Sequence, residues 1–385
     1  MKTFNYVPEI PIGEDWTWNT NVIVSSNGTE QRISLRDEPK RSVSMKWIFD
    51  QAAELQHVMM TMMVGGEGVL LPFYQAATRL TASVAAGSNA IAFRSARTDV
   101  RSGGRAILFD HTGRVEAVAL GAVTAAGAAL IAPLGQSWGR RANIAPVWPV
   151  YAAGEAVVTR NNPDYAASIA LKMNDLDFMV PFANQFAAYP LTMFNGYPVL
   201  NVNSIGAEFD QTYDTGVEFT DYGGKVESRN PWLHAQIVMP RVFLCQRVLQ
   251  PDTWAMWRAF ADYAKGSANP FYLPTFRQDF AVAANPGNGT ISFEGTEYNE
   301  AYAPFEAFRQ LAFVFEDGGV QFAKVADCVA ANGRSIVTFA PALPAGRPLK
   351  RVSMLLKVRI ADDRISCEHS ALETRLTINL RTVDE

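Results

Sequence analysis

The sequence predicts a mainly β, α+β chain with isolated helices, built as two copies of one domain. Short β-rich runs separated by Gly-containing polar turns recur along the whole chain. A set of these runs occurs twice in the same order, the signature of an internal repeat. The 385 residues then divide into a first copy over 1–190 and a second over 191–385, each long enough for its own core.

The elements match in sequence. Val22-Ile23-Val24-Ser25-Ser26-Asn27-Gly28 leads into Glu30-Gln31-Arg32, and Val217-Glu218-Phe219-Thr220-Asp221-Tyr222-Gly223-Gly224 leads into Val226-Glu227-Ser228-Arg229. Each passes a proline (Pro39, Pro231) into an apolar strand, Val43–Phe49 and Ala235–Leu244. A helix is expected next in both copies. Asp50–Met63 is rich in Ala, Leu, Gln and Met and stops at Val64-Gly65-Gly66. Pro251–Ala264 opens on a proline suited to a first helical turn and closes at Lys265-Gly266. Its Trp254, Trp257, Phe260, Ala261 and Ala264 fall on one helical face.

Both helices are followed by a short apolar strand ending in Leu-Pro, at Leu71-Pro72 and Leu273-Pro274. Ala90–Phe93 then matches Thr290–Phe293. The hairpin Ala106–Val115, turning at Asp110-His111-Thr112-Gly113, matches Ala312–Val320. Leu130–Leu134 matches Thr338–Leu343. Last, Gly154–Met173 and Val358–Leu380 each read as two strands around a polar turn. The stretches at about 78–150 and 280–350 read as small inserted β-modules, the first crowded with Ala, Gly, Val and Thr. The join at about 178–212 carries Pro181, Pro190 and Pro198 among Phe178, Phe182, Phe186, Tyr189, Phe194 and Tyr197, and is expected to pack along a surface.

Charged residues are 19% of the chain, below the usual ~25%, and aromatics are 11%. That combination suits a chain that hides surface against other subunits. The net charge of −4 argues against a protein held to nucleic acid by phosphate contacts, which needs a basic face. No apolar run is long enough for a membrane span, and Met1–Tyr6 has no apolar signal region. Cys245, Cys328 and Cys367 are too few and too scattered for a disulfide framework. The expectation is a soluble, reduced protein.

No catalytic residues, cofactor-binding residues or metal ligands are assigned. GxSxG, Walker A, HExxH and EF-hand patterns are missing from the sequence. Val64–Gly68 and Ser102-Gly103-Gly104 read as a helix stop and a hairpin turn. Asp175 with Asp177 reads as a solvated turn, and Asp362 with Asp363, between two strand-like runs, as a hairpin turn. His57, His111, His234 and His369 are scattered, and His57 has no ligand partner at i±4. The run Val58–Met63 is either an adaptable binding surface or a core- or subunit-facing helix, with the second favoured. Trp16, Trp18, Trp138, Trp148 and Trp232 suit sugar platforms or sheet packing equally. The expected interface segments are the helices 50–63 and 251–264 and the segment 178–200, for their apolar content.

The run Gly28-Thr29-Glu30-Gln31-Arg32, then Leu35-Arg36 and Pro39-Lys40-Arg41, then a helix and a Gly-rich strand ending in Pro72-Phe73, resembles the distal tail and minor tail proteins of long-tailed bacteriophages. The likeness covers about residues 15–75 and, less closely, the inserted modules. The second copy departs from it at Val226-Glu227-Ser228-Arg229.

The resemblance implies tail-tube-like β-barrel domains in a structural virion protein, not an enzyme. Such a protein would form a ring at the distal tail (tail tip or baseplate) beside tail tube, tape measure and tip or hub proteins, leaving a channel for DNA in passage. A tandem barrel suits a trimer with pseudo-six-fold symmetry, with a hexamer as the other choice. Mild acidity suits a lumen that repels phosphate. The alternative function is a receptor- or glycan-binding tail module. The resemblance implies a virion location and synthesis in the host bacterial cytoplasm.

Overall fold

Strand alternation sets the architecture. In a computed structural model that describes residues 6–25, 29–63, 68–153, 156–161, 164–173, 189–205, 211–221, 226–229, 235–246, 250–287 and 289–383, the protein is mainly β with isolated helices. The earlier half holds β1 (Glu9–Thr17), β2 (Thr20–Val24), β3 (Glu30–Ser34), β4 (Lys40–Phe49), α1 (Ala52–Met63), β5 (Val69–Pro72), β6 (Thr78–Arg79), β7 (Ala90–Ala92), β8 (Arg105–Phe109), β9 (Val115–Thr124), β10 (Gly127–Leu130), β11 (Asn143–Ala152), β12 (Val157–Asn161) and β13 (Asp164–Met173). On β4 every second residue (Arg41, Val43, Met45, Trp47, Phe49) is buried, as a strand with one face on a core requires.

The later half holds β14 (Met193–Phe194), β15 (Tyr197–Pro198), β16 (Thr212–Asp214), β17 (Glu218–Asp221), β18 (Val226–Arg229), β19 (Gln236–Cys245), α2 (Pro251–Ala264), β20 (Phe271–Pro274), β21 (Val282–Gly287), β22 (Thr290–Glu294), β23 (Gln310–Phe315), β24 (Val320–Ala331), β25 (Arg334–Ala340), β26 (Leu349–Ile360), β27 (Arg364–His369) and β28 (Thr374–Thr382). Pro251 fills the first helical position of α2, where no N–H is needed, and Lys265 closes the helix in the left-handed region.

All strand pairs named here are antiparallel. In the earlier half β4 pairs with β13, β13 with β11, and β11 with β5. In the later half β19 pairs with β28, β28 with β26, and β26 with β20. β11 and β26 are each shared by two assemblies. Residues 143–147 of β11 pair with β8, while 147–150 pair with β5. Likewise 349–354 of β26 pair with β23, and 355–358 with β20. The modules follow as β8–β9–β10–β7 and β23–β24–β25–β22.

The module cores are separate from the main ones. One gathers Phe93, Leu108, Leu120 and Trp138, the other Phe280, Phe293, Phe313 and Phe339. The main core of the earlier half holds Trp47, Val58, Leu71, Phe73 and Ile169. That of the later half holds Phe243, Trp257, Phe260, Phe271 and Ile378, and it also takes in Trp16 and Trp18 from the β1 end of the chain.

A closed barrel in each copy is not what the chain forms. Among the described residues the main sheet stays open, and β1 is the strand that joins the halves: it pairs with β4 on one side and with β27 on the other. Among the described residues β12 pairs with β13 alone, and β16 with β19 alone. A sheet edge spent on the other half cannot also close its own.

Candidate functional site

A dense polar network lies at the seam where β1 meets β27. The register sets Glu14 opposite Cys367 and Trp16 opposite Ile365. Alternation turns Glu14 and Trp16 inward, so a carboxylate lies in the core and must be paired there. Glu14 Oε1 accepts from Trp16 Nε1 at 2.7 Å and Arg41 Nε at 2.7 Å, while Oε2 lies 3.0 Å from His369 Nε2. His369 Nδ1 lies 2.8 Å from Thr374 Oγ1. Arg41 NH1 stands 3.5 Å from Asp99 Oδ2, and Arg258 of α2 donates NH1 to both Asp99 oxygens at 2.8 and 2.9 Å.

Glu14, Arg41, Asp99, Arg258 and His369 are all buried. Two carboxylates face two guanidiniums, so the charge closes within the network. Burial by itself raises the Glu14 carboxyl, but Arg41 and His369 outweigh it and hold the group well below the usual carboxylate range. Burial likewise opposes ionised Asp99, and Arg258, then Arg41, bring it below its ordinary value. Trp16 lies 5.5 Å from Trp254, which in turn is 5.6 Å from His369. With its acids paired and its side chains buried, this cluster binds the halves together.

A second seam contact comes from Glu30-Gln31-Arg32, which open β3. Glu30 reaches across to Arg359 on β26, with Arg359 Nε to Oε2 at 2.6 Å and NH2 to Oε1 at 2.7 Å. Asp363 lies in the turn between β26 and β27, where it accepts the backbone N–H of Thr20 at 2.5 Å and of Ser267 at 2.8 Å. Gly266 sits at φ +67 beside it, and a Cβ there would strike Asp363 and Trp18.

A cleft of about 1050 Å³ runs beside this seam. It is lined by Arg79, Arg94, Arg97, Arg140 and Arg141 together with Trp254 and Leu372, and among the described residues no carboxylate lines it. All five arginines are exposed. His111 of the β8–β9 turn stands with Arg79 and Arg141 in an adjoining recess that also holds Asp110. Asp110 is engaged by its own turn, accepting from Thr112 N at 2.9 Å and Arg114 NH2 at 2.6 Å. Chemically the cleft can hold an anion by charge and by guanidinium hydrogen bonds. It lacks a nucleophile–base pair.

No protein-family model matches the chain, and no curated protein matches it.

The remaining residues singled out in the sequence fall as follows. Trp16, Trp18, Trp138 and Trp148 are buried in cores rather than presented as platforms. Cys245 and Cys367 are buried and Cys328 half-buried, all as thiols outside any disulfide. Ser102-Gly103-Gly104 is a turn before β8, with Gly103 at φ 75. His57 is exposed on α1. Trp232, His234, Asp175, Asp177, Gly65, Gly66, Phe178, Pro181, Phe182 and Phe186 lie outside the described residues. Phe194 and Tyr197, from the end of the join, pack on Tyr272 at 5.4 and 6.0 Å. Among the described residues no group of three or more His, Cys, Asp or Glu is placed to hold a metal ion. No helix among them is long and apolar enough to cross a membrane.

Of the helices expected as interfaces, α2 already has its apolar face covered by its own chain, while α1 leaves Ala52, Ala53, Gln56, His57 and Met60 exposed. The sequence marked no network among Glu14, Arg41, Asp99, Arg258 and His369: Arg41 entered only within Pro39-Lys40-Arg41 and His369 only as one of four scattered histidines. They come from five separate segments with no shared spacing. The one available signal is a Glu at an inward position of an alternating strand.

Proposed function

We propose that the chain is an internally duplicated structural protein of a phage tail, forming a ring at the distal end and joining the tail tube to tip proteins around a channel for DNA. The observation that carries this reading is the common pairing order: β4–β13–β11–β5 in one half and β19–β28–β26–β20 in the other, each with one helix between its first and last members. Two such units in tandem, sharing one sheet through β1 and β27, favour a ring of three chains with six similar lobes. The barrel belongs in this reading to the ring rather than to the chain. The run of residues around Glu30-Gln31-Arg32 supports the tail assignment. Tape measure, tail tube and hub proteins are the proposed neighbours, and the virion the proposed location.

The test is the mass and symmetry of the purified assembly, by mass photometry and negative-stain class averages. A three-chain, six-lobed ring is the expected result. A chain that stays monomeric at high concentration, and forms no ring beside tail-tube partners, would overturn the reading.

A further inference from the structure

We infer that the free edges β12 and β16 are complementary, so that β16 of one copy pairs with β12 of a second copy and rebuilds between chains the seam that β1 and β27 form within one. This rests on the proposed ring and names the surfaces that make it.

The correspondence follows from register. Val158 lies opposite Ala167, and Ala167 opposite Trp47; Cys367 lies opposite Leu376, and Leu376 opposite Phe243. The β12–β13 hairpin therefore stands on β4 as β27–β28 stands on β19. Asp15 opposes Ser42 two residues before the end of β1, and Thr212 opposes Val238 two residues before the end of β16. β16 thus stands on the other side of β19 as β1 stands on β4. Inside the chain Asp15 faces Ser366 and Trp16 faces Ile365. The same register between copies sets Thr212 opposite Val157, Tyr213 opposite Ala156, and Gln211 opposite Val158.

The exposed side chains agree. Val157 is 61% exposed, Val158 44% and Tyr213 59%, on edges that offer unpaired backbone N–H and C=O groups. Tyr213 holds the place of Trp16, which inside the chain is fully buried against Trp254 of α2. Between copies it would meet α1, whose outer face is bare. The β17–β18 hairpin, with Phe219 71% and Val226 62% exposed, would reach the second copy as β3 reaches β26 through Glu30 and Arg359.

The chemistry differs where a reversible contact should differ. Gln211 stands where Glu14 stands, so assembly buries an amide at that position and not a carboxylate.

The test places Thr212→Cys and Val157→Cys together in a Cys328→Ser background of the full chain. Opposed residues on antiparallel strands lie within disulfide reach. Oxidation should give covalent species up to three chains only when both cysteines are present. A ring of the expected mass that fails to cross-link overturns the edge pairing and leaves the ring standing. Cross-linked open chains that never close uphold the pairing and overturn the closed ring. A monomer without cross-links overturns both. Because a disulfide can fail on geometry, Val157→Lys with Tyr213→Lys supplies a second readout. Both sites are exposed, so circular dichroism should be unchanged, while like charges at the seam should raise the half-assembly concentration at least about tenfold. Unchanged assembly of this variant overturns the pairing.

Discussion

Glu30 and Arg359, 329 residues apart in sequence, meet in a two-point ion pair at 2.6 and 2.7 Å with both side chains almost fully buried. The start of β3 is thus anchored on the opposite half of the molecule. Removing one member of a buried pair leaves an uncompensated charge, which costs roughly 3–5 kcal/mol. Arg359→Ala should lower the urea midpoint accordingly. Glu30→Gln with Arg359→Met should recover only part of the loss, because Arg32, 3.5 Å from Glu30 and itself nearly buried, then loses its carboxylate.

The seam carboxylate gives a pH prediction with a definite sign. Glu14 is held below the ordinary Glu value of about 4.3 in the folded chain, despite burial, by Arg41 and His369. A depressed carboxylate contributes its stability above the unfolded value and loses it as pH falls toward the folded one. Stability should be flat from this group at neutral pH and decline below about pH 4–5. Thermal melts across that range should show a shallower acid slope for Glu14→Gln, from a lower neutral starting point.

Trp16 belongs by sequence to the first strand and by packing to the core of the later half. Trp→Ala in a core costs roughly 3–5 kcal/mol. Hydrogen exchange on Trp16→Ala should therefore lose protection first in α2 and β19 rather than in β5 and β13. Uniform loss, or loss confined to the earlier half, would contradict the packing.

Five exposed guanidiniums around one cleft repel one another, and among the described residues no lining carboxylate relieves them. An anion there lowers that repulsion and stabilises the folded chain by mass action. Millimolar sulfate should raise the melting temperature more than chloride at equal ionic strength. Arg79→Gln with Arg141→Gln should remove most of the difference.

The local parts of this fold were legible from residues. Pro251 and Lys265-Gly266 mark the ends of α2 because proline suits the first turn and the left-handed residue ends it. The β8–β9 hairpin shows in Asp110-His111-Thr112-Gly113, whose glycine takes φ 81. The cross-chain parts were not legible. Nothing in Trp16 says that it fills a core built mostly from residues 200–380. The turn at Asp363 was legible but its partners were not, because Thr20 and Ser267 meet it through backbone N–H groups, which have no sequence signal. The closed barrel failed as an expectation for a similar reason: a pattern of strands fixes which faces are apolar, not which edge each strand spends on which neighbour.

β11 and β26 run without interruption from module to main sheet, and that has a mechanical meaning. A module hung on a flexible linker can swing while its host stands still. Here the same extended backbone is hydrogen-bonded into both bodies within a few residues, so there is no joint to absorb a rotation. A push on either module tilts a rod whose other end is stitched into the main sheet, and the displacement arrives at β5 and β13, or at β20 and β28, as strain in their own ladders.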